Sequence, residues 1–179
     1  ACIEAMLTAL DRTGLPWVQF SQESGRRQYE IALRHSEPLI QADRIFLARF
    51  VLRAVAARYG MRCTFVSVVD EAMPPSNLHL HVSDPDDPRS ERFEDLCSGI
   101  AAVVEEAFLA LSPTVNARRA QPIVSVQAKE LSIGRDDRFK ALRIVGVDQR
   151  KRVEFRVPSS DANPYLLILM ILAGIRRRR

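Results

Sequence analysis

The stretch SNLHLHVSD, residues 76–84, sets two histidines two positions apart in an otherwise apolar run. Side chains at i and i+2 of an extended chain share a face. His79 and His81 therefore point one way, while Leu78, Leu80 and Val82 pack the other. A second stretch, RVEFRV at 152–157, turns Arg152, Glu154 and Arg156 to one face, opposite Val153, Phe155 and Val157. A carboxylate between two arginines is either an exposed ion-pair ladder or part of an anion site. A third stretch reads as a hairpin, with LPWVQFSQE and QYEIALR as its strands and SGRR as its turn, and it brings Glu23 and Glu30 together. If these faces line one cavity, three carboxylates and an imidazole suit a hard divalent cation, Mg²⁺ or Mn²⁺. Arginines beside them would grip phosphate oxygens bidentately. Cation plus arginine is the equipment of phosphoryl transfer, where catalysis is mostly positioning and charge neutralisation. Each feature taken alone also reads as solvated surface, so residue types and periodicity leave the choice open.

The elements that must position these groups follow from hydrophobic spacing. Ile3, Met6, Leu7 and Leu10 form a helical stripe stopped by Gly14. A long helix is expected from Glu37 to Tyr59, with Ile40, Ile45, Phe46, Phe50, Val51 and Val55 inside and Gly60 capping it. MRCTFVSVV (61–69) reads as a buried strand, and DEAMPPS as a loop into the histidine strand; PDDPRS is a further loop. A second long helix is expected from Arg92 to Leu111, carrying Phe93, Leu96, Ile100, Val103, Val104 and Phe108. PIVSVQA, FKALRIVGV and RVEFRV then read as strands, and Asp161 as the N-cap of a last helix beginning near Asn163-Pro164. Strands and helices mix without a βαβ rhythm, which predicts an α+β fold on a largely antiparallel sheet, one domain over residues 1–179.

Composition narrows the function classes. Apolar residues make up 47% and charged residues 27%, ordinary for a water-soluble domain with a real core. The net charge of +4 is scattered, and runs such as Arg26-Arg27, Arg118-Arg119 and Arg176 to Arg179 suit either solvated surface or contacts to phosphates, nucleic acid or an acidic surface. No aromatic stacking platform or recognition motif accompanies them, which argues against nucleic acid as the partner. Cys2, Cys63 and Cys97 are odd in number and lack metal-type spacing, so reduced thiols and a cytoplasmic setting are expected. PYLLILMILAGI falls short of the roughly 20 apolar residues a bilayer span needs, so no membrane is expected. No signal peptide precedes Cys2 and the sequence does not open on Met, which leads to the expectation of further chain upstream.

The order of motifs carries a resemblance. ESGRRQYE, TFVSVV, SNLHLHVSD, DRFKALRI and RVEFRVPSSDANPYLLILMILAGI, taken in that order from Leu15 to Ile175, resemble the catalytic domain of the glutamine synthetase superfamily. The look is closest to its γ-glutamyl-amine branch, with two glutamates seven apart around a Gly and a Gln. The resemblance implies a curved sheet flanked by long helices, and an ATP-dependent ligase joining a small carboxylic acid to an amine. It implies ATP with Mg²⁺ or Mn²⁺, and a ring-type homo-oligomer. It makes Glu23, Glu30, His79 and Glu154 metal ligands; His81, Ser83, Arg143 and Arg152 nucleotide contacts; and Arg138, Arg143 and Arg156 the arginines at the acyl substrate and transferred phosphate. The competing expectation is a non-catalytic family member with a structural or regulatory role.

Departures from the family pattern bear on substrate. The family's small β-grasp domain and Glu-x-Glu strand are not in this sequence. Pro74-Pro75 stands where the family carries Asn-Gly, and Asn77 where it carries Gly. Proline removes a backbone donor, so the family's contact to glutamate is not reproduced. NARRAQPIV, the loop after Asn116 where the family carries the glutamate that closes its ammonium site, is short and holds no acid, although Arg118 or Arg119 matches a phosphate arginine. The losses fall on acid and amine recognition, so the expected substrate is a larger amine, or an acid other than glutamate.

Overall fold

Helix α1 (Cys2–Arg12) forms on the expected stripe and buries Met6 and Leu10. The computed structural model describes residues 1–83, 93–104, 106–120, 132–147 and 151–177. They divide into two compact units, one of Ala1–Phe65 with Asp70–Pro74, the other of Val66–Val69 with Pro75–Arg179.

In the first unit α1 is followed by strands β1 (Trp17–Gln22) and β2 (Tyr29–Leu33), paired antiparallel with Ser21 opposite Glu30 and Gln22 opposite Tyr29. Phe20 and Tyr29 stack across the pair at 5.5 Å between ring centroids. Helix α2 (Pro38–Arg58) starts on a proline in its first turn, where the missing N–H costs nothing. Its buried stripe is small: Ala42, Ile45, Ala48, Leu52 and Ala56. Met6, Leu10 and Leu15 meet Ala48, Leu52 and Ala56 in the unit's core. The expectation that Ile40, Phe46 and Phe50 lie inside is not met, for they are 48%, 56% and 67% exposed. Small side chains let α2 lie close over the core, and the bulky ones fall on its opposite face.

In the second unit the four-stranded sheet runs in the order β3 (Leu80–Val82), β6 (Arg152–Phe155), β5 (Leu142–Val145), β4 (Ile133–Arg135). Its pairings are antiparallel except β4 with β5, which is parallel. Val153 and Phe155 are fully buried on the inner face, as the period-2 pattern predicts. Helices α3 (Phe93–Ala102), α4 (Phe108–Leu111), α5 (Val115–Arg119) and α6 (Pro164–Arg177) complete the unit.

Three expectations are corrected here. Residues 61–69 form no strand: the Val68 backbone is met on both sides by the Asn116 side-chain amide, and the Ser67 carbonyl by the Ser76 N–H, not by a ladder. The second long helix is interrupted between α3 and α4, where Val103 and Val104 bond back to Ile100 and Ala101, three residues earlier. Two adjacent β-branched residues disfavour continuation. Asn163, not Asp161, caps α6, its Oδ1 accepting from the N–H groups of Tyr165 (3.0 Å) and Leu166 (3.3 Å). Asp161 instead accepts from the hydroxyls of Ser159 and Thr114, both at 2.6 Å. The PIVSVQA strand and the PDDPRS loop lie outside the described residues. No described helix is long and apolar enough to cross a membrane.

Candidate active site

Register places the chemistry. Glu154 on β6 lies opposite Arg143 on β5 and His81 on β3. Arg152 and Arg156 flank it two residues away, on the same face by strand alternation. Glu154 is 4% exposed, yet it is ionised, and each of its oxygens accepts a hydrogen bond from an arginine. Oε2 accepts from Arg143 Nη1 at 3.1 Å, and Oε1 accepts from Arg156 Nη1 at 2.5 Å. His79 Nδ1 stands 3.2 Å from Oε1. The Arg-Glu-Arg strand is therefore no exposed ladder but a buried carboxylate ringed by two guanidiniums and an imidazole.

Burial works against the Glu154 charge. The hydrogen bond from His79, with the charges of Arg156 and the histidines, outweighs it and takes the carboxyl from 4.5 down to about 2. Burial is also the main force on His81, opposed by Glu154 and reinforced by Arg152, and it brings that imidazole from 6.5 down to about 4. His81 is thus neutral near pH 7. Arg152 Nε donates to His81 Nδ1 at 3.0 Å, so the ring proton sits on Nε2, which is left as a donor. His79 is the mirror case: its Nδ1–H goes to Glu154, leaving Nε2 as a lone-pair donor suited to a metal.

A pH prediction follows. A carboxyl depressed from 4.5 to about 2 adds stability that is complete above pH 4.5 and is lost as pH falls towards 2. The contribution is about 3 kcal/mol. Urea midpoints should therefore drop steeply between about pH 4.5 and 2, and in Glu154→Gln that part of the drop should vanish.

The other expected site residues are placed as follows. Arg143 lies on β5, and Arg138 lies exposed in the turn before it, as the spacing of five requires. Ser83 is exposed, just past β3. Glu23 and Glu30 belong to the first unit. Glu23 N–H bonds the Gln28 carbonyl at 2.9 Å across the hairpin turn, and Glu30 is two residues on, so both carboxylates project from one face and are exposed. Gln28 of the same motif donates to the Pro74 carbonyl at 3.3 Å. Arg118 and Arg119 are exposed in the last turn of α5.

The donor set can be tested against the groups the resemblance implies. Among the described residues no three His, Cys, Asp or Glu gather to hold a metal ion. His79 and Glu154 fit as two ligands of a cation whose coordination is completed by other oxygens. Arg143 Nε–H is buried with no acceptor among the described residues, a donor that fits an anion. Sequence reasoning missed one member of this group. Asp136, in the turn after β4, brings Oδ1 to 3.8 Å from Arg143 Nη2. Its signal is the RDDRF turn, where aspartates are common for reasons of backbone conformation alone.

The family model for the glutamine synthetase catalytic domain matches residues 1–177. γ-Glutamylputrescine synthetase of Escherichia coli (strain K12) is 33% identical over 168 residues, 86% of this chain and 35% of that protein. γ-Glutamylethanolamide synthetase of Streptomyces coelicolor is 31% identical over 165 residues, 84% of this chain and 36% of that protein. Glutamine synthetase of Pyrococcus horikoshii is 30% identical over 165 residues, 86% of this chain and 37% of that protein. The chain thus spans a little over a third of the length of these relatives. A solved structure of a glutamine synthase homologue aligns over 99% of this chain and 47% of its own, with a TM-score of 0.77 at 24% identity. A second, apo GmaS without ligand, gives the same TM-score, 0.77, over 99% of this chain and 44% of its own at 23% identity. A family model matched over residues 1–177, with relatives more than 30% identical over most of the chain, leads to one conclusion: this chain belongs to the glutamine synthetase catalytic-domain family.

Proposed function

We propose that the protein is an ATP-dependent carboxylate–amine ligase that makes an amide through an acyl phosphate. The observation that carries the reading is the buried Glu154 cluster, which sets two arginines and two histidines of opposite tautomer on one sheet face. A carboxylate is a poor acylating agent because its leaving group would be oxide. Attack of a carboxylate oxygen on the γ-phosphorus of ATP expels ADP and forms the acyl phosphate, and an amine attacking the acyl carbon then expels inorganic phosphate. Arg143 and Arg156, both fixed by Glu154, neutralise charge on the acid and the transferred phosphoryl group. His81 offers Nε2–H, and Arg152 its guanidinium, to the nucleotide. His79 and Glu154 would hold a divalent cation, which supplies charge neutralisation at the phosphates. Glu23 and Glu30 are proposed as ligands of a separate cation, Ser83 as a nucleotide contact and Arg138 as an acid contact. We place the protein in the cytoplasm as a ring-type homo-oligomer.

Two relatives are named for amines larger than ammonia, γ-glutamylputrescine synthetase and a glutamate–isopropylamine ligase of Pseudomonas. With the proline pair at 74–75 and no acid at 116–124, that supports a larger amine here. An ammonium ion needs a nearby carboxylate to be captured and deprotonated, whereas a larger amine needs mainly space and one base. Phosphate release from ATP with glutamate, scanned over ammonia and alkyl and aryl amines, should rank a larger amine first. Turnover with ammonia exceeding every other amine would restore plain glutamine synthesis. Absence of metal-dependent binding at millimolar ATP, measured by calorimetry, would favour a non-catalytic role.

A further inference from the structure

Arg143 is held from two sides. Its Nη1 donates to Glu154, on the neighbouring strand, at 3.1 Å. Its Nη2 faces Asp136 Oδ1 at 3.8 Å. The two terminal nitrogens are thus committed to separate carboxylates, and the buried Nε–H is left without an acceptor among the described residues.

Asp136 is not there by chance of a floppy turn. Its backbone is left-handed, with φ of 53°, a conformation that aspartate tolerates and most residues avoid. Its N–H bonds the carbonyl of Ile144, the residue after Arg143, at 3.0 Å. Asp137 closes the same turn by accepting from the Phe139 N–H at 2.9 Å. The turn therefore delivers one carboxylate to the outer nitrogen of one arginine, and the β5 strand fixes both ends of the pair.

We infer that Asp136 is a positioning residue: with Glu154 it clamps the Arg143 guanidinium so that its buried, unpartnered Nε–H is held towards the anion to be bound. The inference rests on the reading of Arg143 as an acid and phosphate contact. Asp136 touches neither substrate in this scheme; it acts through Arg143.

The test uses the whole protein and two readouts. Asp136→Asn keeps a residue that accepts the left-handed backbone while removing the charge, and Asp136→Gly keeps the backbone without the side chain. The first readout is independent of activity: the rate at which phenylglyoxal labels Arg143, followed by peptide mass spectrometry. An ion-paired guanidinium reacts slowly, so both variants should label faster, by about three- to fivefold given the modest strength of an exposed pair. The gap should close in roughly 1 M salt, where such a pair is screened. The second readout is the KM for the acid in the ligase assay, which should rise by a similar factor while kcat changes less. An unchanged Arg143 labelling rate in both variants would overturn the clamp. Faster labelling with an unchanged or lower KM in an active enzyme would overturn its part in substrate binding. Faster labelling in a protein that turns over no acid and amine would support the clamp and overturn the ligase reading instead.

Discussion

Glu154→Ala should lower stability by about 3 kcal/mol and, on the proposed ligase reading, reduce ATP-dependent turnover by at least 10- to 100-fold. The carboxylate is buried, and its removal leaves Arg143 and Arg156 with uncompensated charge and the donors of Arg143, Arg156 and His79 unmet. Breaking a buried ion pair from one side costs this much because the partner stays behind without its counter-charge. Loss of a group that orients a ligand or an arginine costs activity on top of that. Glu106→Ala is the internal control. Its carboxylate pairs with Arg177 at 2.7 Å, but the two side chains are 56% and 59% exposed, so the change should cost under about 1 kcal/mol. Urea denaturation of both variants compares them directly, and equal losses would show that burial of Glu154 has no energetic consequence.

Gly174→Ala should be the most damaging single methyl in the second unit. Helices α3 and α6 approach through Gly99 and Gly174. A Cβ on Gly174 would run into the Gly99 carbonyl oxygen and Val103, and one on Gly99 would sit 2.7 Å from the Ile175 Cα. These obstacles are mostly backbone, which cannot rotate away. The sign is diagnostic. In an open helix position alanine gains about 1 kcal/mol over glycine. Here the overpacking penalty, up to about 3 kcal/mol, must exceed that gain. Thermal unfolding should show a clearly lowered midpoint for Gly174→Ala and Gly99→Ala. A raised midpoint in either would mean that the two helices do not touch at that residue.

What could be read in the sequence was what has a short, strict period. RVEFRV displays its inner and outer faces because one side is fully buried, so Val153 and Phe155 in the core and Glu154 on the polar side were legible. The hairpin with Glu23 and Glu30 was legible through its SGRR turn. Arg138 fell in a turn because five residues cannot separate two side chains on one strand face. Burial of the polar side of that strand was not legible, since it depends on which strands lie beside β6. MRCTFVSVV has strand composition, but a strand needs a ladder, and its backbone is met by Asn116 and Ser76 instead. Helix α2 is apolar on more than one side, so periodicity could not tell that Ala48 and Ala56 face the core and Phe46 and Phe50 do not. The α6 cap was misassigned because Asp161 and Asn163 are both capping types, and only the fold shows that Asp161 is occupied with Ser159 and Thr114. The parallel pairing of β4 with β5 leaves no sequence signal at all, being three residues long on each side.

The most direct test of the central proposal, ligation through an acyl phosphate, is isotope transfer. The intact protein is incubated with ATP, Mg²⁺, an amine it accepts, and an acid whose carboxylate carries oxygen-18. A carboxylate oxygen that attacks the γ-phosphorus leaves with the phosphate when the amine attacks the acyl carbon. The inorganic phosphate released should therefore carry one oxygen-18 atom per amide formed, and Glu154→Gln should lower amide and labelled phosphate together. Amide formed with wholly unlabelled phosphate would contradict the account.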